Sequence, residues 1–164
     1  MSSPVYRARR AHLDDLPALK ALWEAMRFPG ADLEKHLTDF QVVHEANHPI
    51  VGAVGFQMAQ RHGRIHSEAF SDFGITDQAR PLLWARIQTL CTNHGIHRVW
   101  TQEHVPFWIQ NGFQPAAPTL LEKLPEAWDR APNRHSHRFH FADARSRIIR
   151  VPHDRDGRAL FDPE

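Results

Sequence analysis

The residues able to do chemistry in this chain are few and spread out. Glu68 lies between Ser67 and Ala69 in a strand-like run and shares strand parity with Phe70. A carboxyl group on an apolar strand face has a raised pKa and can act as a base near neutrality. A solvent-facing strand residue is the plainer reading. Glu103 and His104 form a second acid–imidazole pair, equally suited to capping a short helix. His135, His137 and His140 fall within six residues. On a strand, His135 and His137 point the same way and could share a metal. Asp143 is the nearest acid and no cysteine is close, so a solvated polar tail competes with that reading. Cys91 is the one cysteine, which excludes an intramolecular disulfide and a Cys-rich zinc site. Tyr6, the one tyrosine, sits on the first strand with nothing around it to mark catalysis. The other histidines, among them His12, His36, His44, His62, His66 and His97, read as surface residues that gain charge below about pH 6.5.

Charge narrows the partners. Lys+Arg is 20 against 19 for Asp+Glu, a formal net charge of +1. This balance supplies no field for nucleic acid or an anionic membrane. Arg145–Arg150 is a basic stretch, but residues 126–164 carry seven acids beside eight arginines, which argues against a nucleic-acid face. His48–Gln60 lacks Asp, Glu, Lys and Arg but is too short and polar for a membrane span of roughly 20 apolar residues. Met1-Ser2-Ser3-Pro4 begins no secretory signal. A cytoplasmic protein is expected.

The chain has 164 residues, 41% hydrophobic and 24% charged, enough for one domain with a real core. Val5–Arg9 alternates as a short strand. A helix follows, capped by Asp14 or Asp15, with Leu16, Leu19, Leu22, Trp23 and Met26 on one stripe. Phe28-Pro29-Gly30 ends it, and Asp32–Phe40 reads as a second helix. Gln41–Ala46, Ile50–Met58 and Arg64–Phe70 form a meander, with turns at Asn47-His48-Pro49 and His62-Gly63. A long helix spans about Gln78 to His94, with Gly95 placed as its C-terminal cap. Ile96–Thr101 is a strand, Val105–Asn111 a short helix, and Gly112-Phe113 opens a further strand. Leu120–Leu124 is read as the last strand of a domain over residues 1–125. Residues 126–164 read as an Arg/His-rich C-terminal extension, in which Phe139, Phe141, Ile148, Ile149 and Val151 allow one or two strands. It lies on the domain, packs on a partner subunit to make a homodimer, or forms a partly disordered tail.

This element order resembles the GCN5-related N-acetyltransferase (GNAT) superfamily. Phe107-Trp108-Ile109-Gln110-Asn111-Gly112-Phe113 looks like the family's Phe-Tyr-x-x-x-Gly-Phe segment at identical spacing. A strand, a turn and a long helix ending in Gly95-Ile96, followed by another strand, have the length of its acyl-CoA-binding unit. The opening strand with Arg7 and Ala8, followed by Asp14-Asp15-Leu16 and a Leu-rich helix, is also common there. The resemblance covers roughly residues 4–124. It implies an α+β GNAT-like fold, a mixed and mostly antiparallel sheet flanked by helices.

The resemblance also implies a chemistry. An acetyl group would move from acetyl-CoA, the co-substrate, to an amine on a small molecule or peptide. The diphosphate would rest on the turn before the long helix, where backbone amides and the helix dipole attract an anion. The family's turn reads Gln/Arg-x-x-Gly-x-Gly/Ala. Here it falls on Ile75-Thr76-Asp77-Gln78-Ala79-Arg80, with Gln78 and Arg80 in the glycine places, Ile75 in the leading place and Pro81 next. The amides of Asp77–Arg80 would hold the diphosphate, helped by the Arg80 side chain; a plain helix N-cap at Thr76 or Asp77 is the alternative. Phe70, Ser71, Asp72, Phe73 and Gly74 would run beside the pantetheine arm. Glu68 would take the proton of the attacking ammonium. Trp108 stands where the family's tyrosine protonates the leaving thiolate; indole donates hydrogen bonds but is no acid at physiological pH, so a water could do that work, and a core aromatic on a short helix is the plainer reading of Trp108. These losses also suit a non-catalytic GNAT-fold protein that binds a ligand or partner. A metal-binding module built on the His135–His140 cluster is the third reading.

Overall fold

The computed structural model of the chain describes residues 2–121, 125, 146–156 and 158–161. Their strands are β1 (Tyr6–Arg10), β2 (Phe40–Glu45), β3 (Ile50–Ala59), β4 (His62–Phe70), β5 (Arg98–Thr101), β6 (Gln114–Pro115) and β7 (Arg147–Arg150). They hydrogen-bond in the order β1-β2-β3-β4-β5-β7-β6. β4 and β5 run parallel, whereas β1–β2, β2–β3, β5–β7 and β6–β7 are antiparallel. The helices are α1 (Leu16–Ala25), α2 (Gly30–Glu34), α3 (Thr76–His94), α4 (Pro106–Gln110) and α5 (Pro118–Leu121). The mixed, mostly antiparallel α+β architecture expected from the sequence is the one found. No helix among the described residues is long and apolar enough to cross a membrane.

Two compact units divide the chain: Met1–Phe56 with His66–Leu90, and Gln57–Ile65 with Cys91–Glu164. In the first, the stripe of α1 packs on the sheet. Leu19, Leu22 and Trp23 join Leu33, Phe40, Val42, Ala53 and Ala69 in one buried cluster. The Trp23 and Phe40 rings meet at 5.0 Å. Burying a side chain of this size contributes about 2–3 kcal/mol. The Asp15 carboxylate accepts hydrogen bonds from Arg9 Nη1 (2.7 Å), Arg9 Nη2 (2.8 Å) and the His12 amide (2.7 Å), tying β1 to the start of α1. That two-pronged pair holds the Asp15 carboxyl below its usual range. Asp32–Phe40 is not one helix: α2 stops at Glu34, a 3₁₀ turn covers Leu37–Asp39, and Phe40 is already strand. Pairing of Phe40 with Gly55 demands extended backbone, and the fully buried Phe40 ring anchors that register.

The turn between β3 and β4 also differs from expectation. Gln60 takes a left-handed φ of 55°, so the chain reverses at Gln60–Arg61, and His62-Gly63 is already strand. His62 and His66 are therefore buried, each 8% exposed, and not surface residues.

In the second unit, Trp100 is fully buried against Ala59, Ala116, Leu120 and Ile148. Its indole Nε1 donates to His62 Nδ1 at 3.0 Å. Gly95 takes φ +63°, and Ile96 N donates to Cys91 O at 3.0 Å, the closure expected of a glycine-capped helix end. Cys91 is completely enclosed, and burial pushes its thiol up to about 12. Leu120 and Leu121 end α5 where a strand was expected; Pro118 opens that helix because its fixed φ suits a first turn. Residues 122–124 of that expected strand lie outside the described residues. So do Phe139, Phe141, Arg145 and the His135, His137 and His140 cluster. Ile148 and Ile149 do lie on a strand, β7, which pairs with both β5 and β6.

Candidate functional site

β4 carries the candidate base. Every residue from Ile65 to Phe70 is buried, so this stretch is enclosed on both faces. Ser67 sits at φ 55°, a left-handed conformation that breaks the regular pleat. Its hydroxyl lies 3.1 Å from His66 Nδ1, and the His66 and Phe40 rings meet edge to face at 5.5 Å. Glu68 is 5% exposed. Its Oε1 accepts from Arg80 Nε at 3.2 Å, and the Arg80 guanidinium lies 5.2 Å from the centre of the Phe70 ring. The structure thus joins three residues singled out separately in the sequence. Glu68 and Phe70 lie on one side of β4, and Arg80 reaches them from α3. The ladder between β4 and β5 ends at Ile65↔Thr101, where β5 itself ends, while β4 continues through His66–Phe70.

The turn after β4 is built differently from the expected one. Thr76 already begins α3, so Thr76–Arg80 are helical and the chain reverses over Asp72–Ile75. Without glycine at 78 or 80, nothing interrupts the helix there. Asp72 Oδ1 accepts from the Gly74 amide at 2.8 Å, an Asx turn. Ile75 N donates to Asp72 O at 3.3 Å, and Thr76 donates to Phe73 O through its amide and, at 2.9 Å, its hydroxyl. Asp77 and Gln78 face solvent and Ala79 is buried. The first-turn amides of Asp77 and Gln78 have no carbonyl inside α3 to bind. Pro81 has no N–H to return to the Asp77 carbonyl. Phe73, 69% exposed, projects beside the turn.

In the other unit, Trp108 is fully buried, with Phe107 at 4.9 Å and Phe113 at 5.5 Å, both edge-on. Glu103 is held locally, its amide donating to Thr101 Oγ1 at 3.1 Å. Among the described residues no group of three or more His, Cys, Asp or Glu could hold a metal ion.

Two features escaped the sequence reading. The Glu68–Arg80 pair joins residues twelve apart across a turn, a contact no local pattern encodes. Asp72-x-Gly74, by contrast, is a legible Asx-turn signal.

Beyond Ser67 the strand offers a pantetheine arm the extended backbone of Glu68–Phe70. The turn offers a diphosphate the first-turn amides of Asp77 and Gln78, which no carbonyl inside α3 takes up, and the Arg80 side chain. It fits less closely elsewhere, because the amides of Gly74, Ile75 and Thr76 are engaged within the turn and the carboxylates of Asp72 and Asp77 stand beside it.

No protein-family model and no curated protein sequence matches the chain. Solved structures do. One is N-acetylglutamate synthase from Neisseria gonorrhoeae complexed with coenzyme A and N-acetyl-glutamate, 22% identical with a TM-score of 0.66. The match takes in 91% of this chain but 36% of that one, so the chain spans about a third of the synthase's length. Rv2747 from Mycobacterium tuberculosis, in complex with CoA and NLQ, is 14% identical with a TM-score of 0.66, over 91% of this chain and 100% of that one. A GNAT-family acetyltransferase from Staphylococcus aureus Mu50 is 14% identical with a TM-score of 0.60, over 89% and 99%. At these identities the likeness is one of architecture, and it assigns the chain the fold of the GNAT acetyltransferases.

Proposed function

We propose that the chain is an acyl-CoA-dependent N-acyltransferase, moving an acetyl group from acetyl-CoA to an amine. The observation that carries this reading is the arrangement of β4: an enclosed strand that outruns β5, bears a buried carboxylate, and feeds a turn into a long helix. The coenzyme A bound to structures of the same fold supports it.

When bound, acetyl-CoA supplies an activated carbonyl and a thiolate leaving group. The backbone of His66–Phe70 lines the arm. The amides of Asp77 and Gln78 and the Arg80 side chain face the diphosphate, with Phe73, Gly74, Ile75 and Ala79 shaping the turn. Glu68 takes a proton from the acceptor's ammonium, directly or through water, and Arg80 fixes the orientation of its carboxylate. Transfer forms the new C–N bond and breaks the C–S bond. The proton reaching sulfur comes from water, because Trp108 is an enclosed indole and no acid.

The internally bonded turn favours a second reading, a non-catalytic GNAT-fold binding protein. Calorimetry with acetyl-CoA separates the two. A ligand at 100 times its Kd adds about 2.7 kcal/mol to stability, so a clear rise in Tm is expected. Absence of any stabilisation at millimolar acetyl-CoA would leave only the binding-protein reading. Retention of full affinity in Arg80→Gln would remove Arg80 from the diphosphate site.

A further inference from the structure

The second unit holds a basic concavity that the acyltransferase reading does not use. Its volume is about 1110 Å³, and Gln60, Arg61, His94, His97, Arg150 and His153 are among its lining residues. A smaller neighbouring recess of about 390 Å³ adds His62 and Arg98 to Arg61, His97 and Arg150. No Asp or Glu lines either one among the described residues, and none there pairs with Arg61, Arg98 or Arg150.

The placement of these charges is unfavourable for folding alone. Arg98 and Arg150 are direct register partners across the antiparallel β5–β7 ladder. Like charges directly opposite on a sheet face destabilise it. Arg61 brings a third guanidinium, its Nη1 donating to His97 Nε2 at 3.1 Å. The His97 ring in turn lies 4.3 Å from that of His153.

The cluster is also held firmly. Arg61 O accepts from His97 N (2.7 Å) and Arg98 N (3.3 Å), and His97 O accepts from Val151 N (2.8 Å). Three chain segments are thereby locked with their cations converging. His153 Nδ1 lies 2.8 Å from Val151 O, while its Nε2 is buried without a hydrogen-bond partner. Burial, and after it the neighbouring His153, Arg61, Arg98 and Arg150, hold His97 below its usual pKa.

We propose that this concavity is a binding site for a small phosphate-bearing polyanion, gripped by Arg61, Arg98 and Arg150. Guanidinium forks match phosphate oxygens in pairs, and a multiply charged anion between Arg98 and Arg150 turns their repulsion into attraction. The anion could be a free phosphate chain or the phosphates of a nucleotide.

The test is thermal shift and calorimetry on the full chain with sodium tripolyphosphate and, separately, ATP, against sodium chloride at matched ionic strength. Both phosphates raising Tm well beyond the chloride control marks a phosphate-chain site; ATP alone doing so marks a nucleotide site, and either result supports the proposal. The Arg98→Gln/Arg150→Gln variant should melt no lower than the parent without ligand and weaken binding about tenfold or more per arginine removed. Arg61→Gln, in an exposed turn, gives the same reading should the double variant fail to fold. Arg7→Gln on β1 should leave affinity unchanged, which separates this site from general surface charge. Stabilisation no greater than that of chloride, or stabilisation that survives both Arg61→Gln and the double variant, overturns the proposal. Neither result bears on acetyl-CoA, whose site is probed at Arg80.

Discussion

Glu68 and Arg80 meet at 3.2 Å with side chains 5% and 13% exposed, and each is the other's answer to burial. A carboxylate taken out of water is costly unless paired. Removing the cation takes its charged partner from a buried carboxylate, so Arg80→Ala should lower stability by about 3 kcal/mol, read as a drop in urea midpoint. Glu68→Gln also leaves Arg80 without its counter-charge, but it keeps the shape and a hydrogen-bond acceptor and should cost less. If Glu68 is the base, the same variant lowers turnover by about a hundredfold or more with a small change in Tm. A merely structural Glu68 would instead show stability and turnover falling together. The acid itself was legible from its strand context. Its partner was not, because an ion pair across a turn leaves no periodic trace.

At the scale of elements, apolar runs and the Asn47-His48-Pro49 turn foretold β2 and β3, and Gly95 foretold the end of α3, whereas β4 was foretold two residues late, because His62-Gly63 was expected to turn and is strand. These signals are local, so a sequence carries them openly. What failed was set by tertiary contacts. Phe40 abandons the helical pattern of Asp32–Phe40 because its ring and its pairing with Gly55 belong to the sheet. Thr76 starts α3 early because Asp72 and Phe73 close the preceding turn. Close approach within the sheet is equally invisible in sequence. A Cβ on Gly55 would lie 2.6 Å from His66 Nδ1 and closer still to the ring's Cε1 and Nε2. The ring is hemmed by Phe40 and Ser67 and cannot retreat far. Gly55→Ala is therefore expected to cost about 2–3 kcal/mol, measured by chemical denaturation. Because His66 precedes the left-handed Ser67, the same change should disturb the Glu68 strand and weaken acetyl-CoA stabilisation.

For the molecule as a whole, acidity is the condition to which folding should be most sensitive. His62 is held neutral, its pKa lowered first by burial and then by Arg98 and His97, and its Nδ1 accepts from Trp100. The unfolded chain binds that proton more readily than the folded one. Stability is thus fully present above about pH 6.5, the ordinary imidazole value, and is lost as pH falls from there through the lowered value. The slope from this one group is at most about 1.4 kcal/mol per pH unit. Urea midpoints measured between pH 7.5 and pH 5 should fall accordingly, and His62→Gln should flatten that dependence. A parent midpoint constant over this range would show that His62 titrates normally.

The solitary sulfur of Cys91 has a practical meaning at this scale. Sealed at the foot of α3 and kept protonated, it should ignore a thiol-labelling dye while the fold is closed and react once the fold opens. The protein thus carries its own clock for breathing motions, one that needs no engineered probe and no reducing agent to keep it running.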